Sequence, residues 1–188
     1  GWGDGIPNND SVATANINTV TYINMNNLSI SDLTGIQDFI SLTELRVSDN
    51  SLSGLLDLSM LVNLQTLYCS SNYGLTSLDL SGNVALTDLV CQYNNNISSL
   101  DLSPCPLLTY VNVFDNSLTS INTTGLTSLS TLTMSCYSSS SNNITSLDLS
   151  ALTWLNDLVI HSNPLLESLI LPGNGSEVER LISFKVKN

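Results

Sequence analysis

Basic residues are scarce in this chain. Lysine and arginine number only 4 in 188 residues, against 16 aspartates and glutamates, so the formal net charge is -12. Such a chain repels the phosphate backbone of nucleic acids and anionic membrane surfaces, and we expect neither as a partner. No apolar run approaches the roughly 20 residues that span a bilayer. The opening GWGDGIPNND lacks a basic segment followed by an apolar one, so we expect no signal peptide and interpret it as a mature start or a fragment.

Catalytic motifs are also missing from the sequence. There is no G-x-S-x-G turn, no H-E-x-x-H helix and no glycine-rich phosphate loop. The only histidine, His161, follows Asp157 by four residues. In an extended strand, residues four apart lie roughly 13 Å from each other, too far for a catalytic pair. We therefore expect no enzymatic activity, and a hydrolase that depends on His161 is only a third alternative.

A nine-residue phrase recurs along most of the chain. Copies that begin at Leu42, Leu64, Leu86, Leu108 and Leu155 fit L-x-x-L-x-L-x-x-N. The second apolar position of the phrase recurs at steps of 22, 22, 22, 22, 21, 26 and 23 residues, at Ile23, Leu45, Leu67, Leu89, Val111, Leu132, Leu158 and Leu181. The alternation inside each phrase is that of a strand with one buried face. The sequence therefore predicts a leucine-rich repeat solenoid of about eight rungs.

Two further features refine the predicted rung. An asparagine ends the phrase in most copies, where its amide can form hydrogen bonds with backbone groups of neighbouring rungs. After an insertion at 137–141, Asn142 or Asn143 would take this role. In the first rung, Leu28 replaces the asparagine. Each repeat also holds a second phrase, such as LTSLDLS from Leu75. We therefore expect a predominantly β fold, with parallel strands on one face, short extended segments or turns on the other, and little helix.

The repeat pattern also divides the chain. We expect a truncated N-terminal cap at 1–19, repeats of about 22 residues at 20–177, and a last rung or C-terminal strand at 178–188. That last segment carries three of the four basic residues, so the acidic body of one molecule could stack on the basic end of another.

The nested pair of phrases resembles the IRREKO-type leucine-rich repeats of bacterial secreted and surface proteins. The likeness covers about residues 12–188 and rests on the LxxLxLxxN copies together with the LDLS phrases. It implies an extracellular or cell-surface setting and a role in binding or adhesion. It implies no common ligand and no catalysis.

Two sets of side chains could bind a metal or form a crosslink. Asp57, Asp79 and Asp101 hold the outward position of the LDLS-like phrases. If stacked about 5 Å apart, they could hold Ca²⁺, which is the only cofactor we consider; alternatively, each carboxylate accepts hydrogen bonds from the turn that follows.

Cys69 and Cys91 occupy the same inward position of adjacent rungs. We interpret them as buried thiols, with a disulfide as the alternative.

Aromatic residues collect on the outward face of the first strand. Five of the nine tyrosines and phenylalanines hold such positions, namely Tyr22, Tyr68, Tyr110, Phe114 and Phe184. Tyr93 lies beside them, one position further along its phrase. Tyrosine is frequent at protein hot spots and also stacks against sugar rings, although strands favour aromatics in any case. We predict a ligand-binding surface made of Tyr68, Asp88, Val90, Tyr93, Tyr110 and Phe114.

The leading functional hypothesis is a non-catalytic extracellular module that binds a protein or a surface glycan through this face. The alternative is a structural protein that self-associates end to end through its solenoid ends into filaments or arrays. A partner-binding role predicts that loss of the aromatic side chains abolishes binding and leaves stability nearly unchanged.

Overall fold

The computed structural model describes residues 17–136 and 142–173. Seven short strands, one from each rung, form a parallel sheet in the order β1, β2, β4, β6, β8, β10, β12. Their bounds are β1 Tyr22–Asn24, β2 Glu44–Arg46, β4 Thr66–Tyr68, β6 Asp88–Val90, β8 Tyr110–Asn112, β10 Thr131–Thr133 and β12 Asp157–Val159. The leucine-rich repeat solenoid predicted from the sequence is confirmed.

A second set of strands lies on the other side of the solenoid. These strands pair in parallel as β3 with β5, β7 with β9 and β11 with β13. Their bounds are β3 Ser53–Asp57, β5 Gly74–Asp79, β7 Ser99–Asp101, β9 Ser120–Asn122, β11 Ser146–Asp148 and β13 Ser168–Ile170. A 3-10 helix at Ile36–Asp38 is the only helix assigned as an element in the described residues. The expected extended second side and low helix content are therefore observed.

The core lies between these two sets of strands. The middle residue of each sheet strand points inward, and the repeat register pairs these residues directly, as in Ile23 with Leu45 and Leu67 with Leu89. Leu45, Leu67 and Leu89 are fully buried. Burying a leucine contributes roughly 1.5–3 kcal/mol, and each rung obtains this burial only from its neighbours. The apolar repeat therefore fixes the strand register.

The asparagine ladder closes one edge of the solenoid as predicted. The side-chain amides of Asn72 and Asn94 are buried, and the Asn94 Oδ1 accepts the backbone N–H of Asn72 at 2.8 Å. After the insertion, Asn142 takes this role, because its Oδ1 accepts the backbone N–H of Leu118 at 2.8 Å and its Nδ2 donates to the Met134 carbonyl at 2.7 Å.

Several sequence predictions fall outside the described residues. These are most of the proposed cap at 1–19, the insertion at 137–141, the eighth rung with its inward Leu181, and the basic segment at 178–188. The end-to-end assembly hypothesis depends on that last segment and stays a prediction. Within the part of the chain that is described, no helix is long and apolar enough to cross a membrane.

Candidate binding surface

The strand register brings the predicted surface residues together. The register pairs Asp88 of β6 with Tyr110 of β8, and Tyr68 of β4 with Val90 of β6. Neighbouring strands lie about 4.8 Å apart, so these four side chains occupy two adjacent columns on three adjacent strands. Phe114 follows β8 by two residues on the same side of the sheet. We call the outward positions of the seven-stranded sheet, with Tyr93 beside them, the strand face.

Arg46 is a component of the strand face that the sequence analysis did not single out. Its guanidinium carbon lies 4.6 Å from the ring centroid of Tyr68, in cation–π geometry. Its Nε donates to the carboxylate of Glu44 in the same strand. The hydrogen bond that Arg46 donates to Glu44 raises the pKa of Arg46 above its ordinary value, with smaller contributions from nearby Tyr22 and Tyr68. One face of the Tyr68 ring is therefore occupied by a cation that is held in place.

Tyr93 packs against Phe114 at the edge of the strand face. The two ring centroids are 5.5 Å apart with an interplanar angle of 74°, which is an edge-to-face arrangement. The backbone N–H of Tyr93 donates to the Phe114 carbonyl at 3.0 Å, which ties the two rungs together. Such aromatic pairs contribute about 0.5–1.5 kcal/mol beyond burial. The predicted proximity of these two residues is therefore a direct contact.

The backbone of Tyr93 has an unusual conformation for a large side chain. Tyr93 has φ of 55°, in the left-handed region, and so do the residues at the same position of other rungs: Asn27, Asp49, Ser71, Asp115 and Ser162. Those residues are asparagine, aspartate or serine, of which asparagine and aspartate tolerate this region comparatively well. A tyrosine there is strained by roughly 1–2 kcal/mol. This backbone conformation carries a ring that is 40% exposed and lies beside Phe114.

Polar groups of the strand face hold one another in fixed positions. The Asn112 Nδ2 donates to the Tyr110 hydroxyl at 3.2 Å, and the Asn112 Oδ1 accepts the backbone N–H of Phe114, also at 3.2 Å. The Thr87 hydroxyl donates to the Asp88 carboxylate at 2.6 Å. Asn112 was visible in the sequence as an outward residue, but only the structure shows that it links two predicted surface residues.

The calcium candidates are bonded to the turns that follow them. The Asp57 Oδ1 accepts the backbone N–H of Ser59 at 3.0 Å and its hydroxyl at 2.7 Å. The Asp101 Oδ1 accepts the same two groups of Ser103 at 3.0 and 2.7 Å. The side chain and then the backbone of Ser81 donate to Asp79 and lower the pKa of that carboxyl. This local turn arrangement is the alternative to a calcium site that the sequence left open.

The expected stacking of three carboxylates is only partly observed. Asp57 and Asp79 are register partners in β3 and β5, whereas Asp101 lies in β7, which pairs with β9. The register partner of Asp101 is Asn122, whose Nδ2 donates to the Asp101 Oδ1 at 2.9 Å. In the described residues, no group of three or more His, Cys, Asp or Glu side chains is placed to hold a metal ion.

All four cysteines are buried free thiols: Cys69, Cys91, Cys105 and Cys136. A hydrogen bond with Cys91, and then burial, raise the pKa of the Cys69 thiol well above its ordinary value. Burial raises the pKa of Cys105 to about 11, with a smaller contribution from Asp101. A thiol with a raised pKa is a poor nucleophile, so Cys69 and Cys105 are unreactive, and burial makes all four cysteines core side chains.

The lone histidine lies at the C-terminal end of the described solenoid. The His161 Nδ1 is 3.3 Å from the Ser162 hydroxyl, in a turn next to the strand face. His161 lies outside the cluster formed by Tyr68, Val90 and Phe114, because it follows β12, which is four strands from β4, three from β6 and two from β8 in the sheet. The geometry therefore keeps His161 apart from the aromatic side chains predicted to bind a ligand.

Comparisons with known proteins give the following. No protein-family model matches the chain. No curated protein matches it either. Among solved structures, the chain is similar to the functional domain of InlJ from Listeria monocytogenes, which includes a cysteine ladder, with 23% sequence identity and a TM-score of 0.32. The similarity covers 86% of this chain and 55% of that one, so the chain spans about half the length of the InlJ structure.

Proposed function

We propose that this chain is a non-catalytic binding module that holds a protein partner against its strand face. The proposal rests on one observation: Tyr68, Val90, Tyr110 and Phe114 lie together on three adjacent rungs. The sheet fixes their backbones, so little conformational entropy is lost when a partner binds. An extracellular or cell-surface setting is part of the proposal, and its support is the resemblance of the nested repeats to IRREKO-type repeats.

The ring environments favour a protein over a glycan. A sugar stacks on an open aromatic face, but Arg46 already covers one face of Tyr68. Tyrosine and arginine are also the side chains most enriched in protein hot spots. The strand face therefore offers a cation, hydroxyl groups and ring edges to a partner, which suits hydrogen bonding and packing with protein side chains.

The strain at Tyr93 supports the same proposal. Five other rungs place asparagine, aspartate or serine at the position of Tyr93. The fold would be more stable with asparagine or aspartate there, because these side chains adopt the left-handed region at lower cost than tyrosine does. A residue that costs stability and adds exposed aromatic surface is typical of a functional site.

The test is a binding screen of the purified chain on an array that carries surface proteins and glycans. We expect protein binding that is lost in the triple variant Tyr68→Ser, Tyr110→Ser, Phe114→Ser. A matched control is Tyr73→Ser, which removes a ring that is 60% exposed but lies outside the strand face. Both variants should keep the far-ultraviolet circular dichroism of the parent.

The outcomes separate the alternatives. Protein binding that survives the triple variant would contradict the strand face as the site. Glycan binding that the triple variant loses would keep the face and replace the partner class. A blank array from the folded protein would favour the structural, self-assembling alternative, which particle imaging at high concentration would then examine.

A further inference from the structure

A second surface runs along the edge of the solenoid where the chain turns from the second strands into the seven-stranded sheet. Five successive turns at this edge contain no Asp, Glu, Lys, Arg or His: residues 58–65, 80–87, 102–109, 123–130 and 149–156. We call these five turns the neutral edge. Charged residues make up only 11% of the whole chain, so what distinguishes this edge is the set of apolar side chains that it exposes.

Large apolar side chains stand out from the neutral edge into solvent. Met60 is 61% exposed, Val62 49%, Val84 55%, Leu107 51% and Trp154 68%. Ile40, from the preceding turn, is 49% exposed and extends the row. The five of these side chains that lie on four successive turns, all except Trp154, expose an apolar area on the order of 400–500 Å², within the range of the largest patch of a typical monomer, which is often functional.

The turns of the neutral edge stack in register, so the exposed apolar side chains of turns 58–65, 80–87 and 102–109 lie in one row. The turn 123–130 exposes only threonine, glycine and serine, and Trp154 lies beyond it. The backbone N–H of Thr87 donates to the Gln65 carbonyl at 2.8 Å, and that of Thr109 donates to the Thr87 carbonyl at 2.9 Å. The Asn63 Nδ2 donates to the Ile40 carbonyl at 2.9 Å, which links the first turn of the neutral edge to the turn that precedes it. With about 4.8 Å between rungs, the edge from Val62 to Trp154 is about 19 Å long.

Carboxylates border the neutral edge. Four of its five turns begin directly after an aspartate, namely Asp57, Asp79, Asp101 and Asp148, and two of them end directly before Asp88 or Asp157. Hydrogen bonds from Ser150 lower the pKa of Asp148, as those from Ser81 do for Asp79, so the border stays ionised at neutral pH. In the part of the chain that is described, Arg46 is the only lysine or arginine. It lies on the strand face, so it does not neutralise this border.

We infer that the neutral edge is a second docking surface, and that its occupant is a protein segment with an apolar face flanked by lysine and arginine. An apolar centre within a charged rim is the usual anatomy of an interface. The rim is acidic here, so complementarity requires a basic partner. A second copy of this chain would place one acidic rim against another. This inference is independent of the proposed function, because the two surfaces share none of their exposed apolar side chains.

The test uses a synthetic amphipathic helix of leucine and lysine as the probe. A helix of about 14 residues is about 21 Å long, enough to reach from Val62 to Trp154. Trp154 reports on docking, because its indole is exposed in the free protein. The Trp2→Phe background removes the other tryptophan. We expect a blue shift of Trp154 emission with the leucine–lysine helix and none with a leucine–glutamate helix of the same pattern.

Two double variants distinguish apolar docking from simple charge attraction. Val62→Asp with Val84→Asp adds two negative charges within the row, which would strengthen a purely electrostatic contact but weaken apolar docking. We expect the dissociation constant for the leucine–lysine helix to rise at least about tenfold. The matched control, Leu55→Asp with Ile170→Asp, adds two charges at side chains of the second strands that are 57% and 50% exposed. It should leave the emission shift in place.

The inference fails under clear results. Equal or tighter binding by the Val62 and Val84 double variant would show that the probe is held by charge alone. The absence of a Trp154 shift at saturating probe would exclude docking on the row. Sedimentation of the unliganded protein as a dimer that the same double variant dissociates would replace the basic partner with a second copy.

Discussion

The asparagine ladder allows the cost of one buried amide to be worked out from its contacts. Asn72 is fully buried. Its Oδ1 accepts the backbone N–H of Leu52 at 3.2 Å. Its Nδ2 donates to the carbonyls of Val47 at 2.9 Å, Cys69 at 3.1 Å and Ser70 at 3.2 Å. The change Asn72→Ala removes all four contacts.

These contacts differ in how much their loss costs. Among the residues that the structure describes, the Leu52 N–H has no acceptor other than Asn72, and Leu52 is only 3% exposed. An orphaned buried N–H costs about 1–3 kcal/mol. The Val47 carbonyl keeps the amide of Asn50 at 3.0 Å, and the Cys69 carbonyl keeps that of Asn94 at 3.2 Å. Losing the second donor at such a carbonyl costs about 0.5 kcal/mol.

Together these effects predict that Asn72→Ala lowers the free energy of unfolding by about 3 kcal/mol. Urea unfolding followed by circular dichroism measures this change, provided that the slope with urea stays that of the parent. The control is Asn63→Ala, whose exposed amide makes one hydrogen bond, to the Ile40 carbonyl, and should cost less than about 1 kcal/mol. If both variants lose the same small amount, the ladder does not stabilise the fold through these hydrogen bonds.

Three further predictions concern charge, thiols and packing. The pKa of Asp101 is lowered in the folded protein, so the ionised carboxylate stabilises the fold fully above the unfolded pKa near 3.9, and this stabilisation is lost as pH falls through the folded pKa. The variant Asp101→Asn should therefore show a smaller decline of Tm in acid than the parent. The four buried thiols should resist iodoacetamide in the native protein at pH 8 and all react in denaturant, as mass spectrometry would show; native labelling would contradict their burial. Gly82→Ala would place a Cβ 1.8 Å from the Ser59 carbonyl oxygen and should cost about 1–3 kcal/mol of stability by thermal unfolding, whereas Gly173→Ala, in open space, should cost little.

The sequence analysis identified the surface residues by column but could not rank them. Tyr68 and Val90 were predicted as neighbours, and the register confirms that they are strand partners. The outward alternation fails at Ser135, which is fully buried although the repeat places it outward. It lies between buried Met134 and Cys136, directly before the insertion. Repeat periodicity describes an average rung and does not account for the local path of the chain beside an irregular loop.

The sequence alone determined the fold, the register and the role of the asparagines. A step of 22 residues with alternating apolar positions has one way to bury its leucines, so the pattern fixes which residues face inward and which lie side by side. The tertiary structure alone decided which outward side chains contact one another. Arg46 against Tyr68, and Tyr93 against Phe114, depend on rotamers and on a left-handed turn. The apolar row of the neutral edge depends in the same way on how far each turn exposes its side chain. These contacts are not periodic, because solvent-facing side chains are under no common packing constraint.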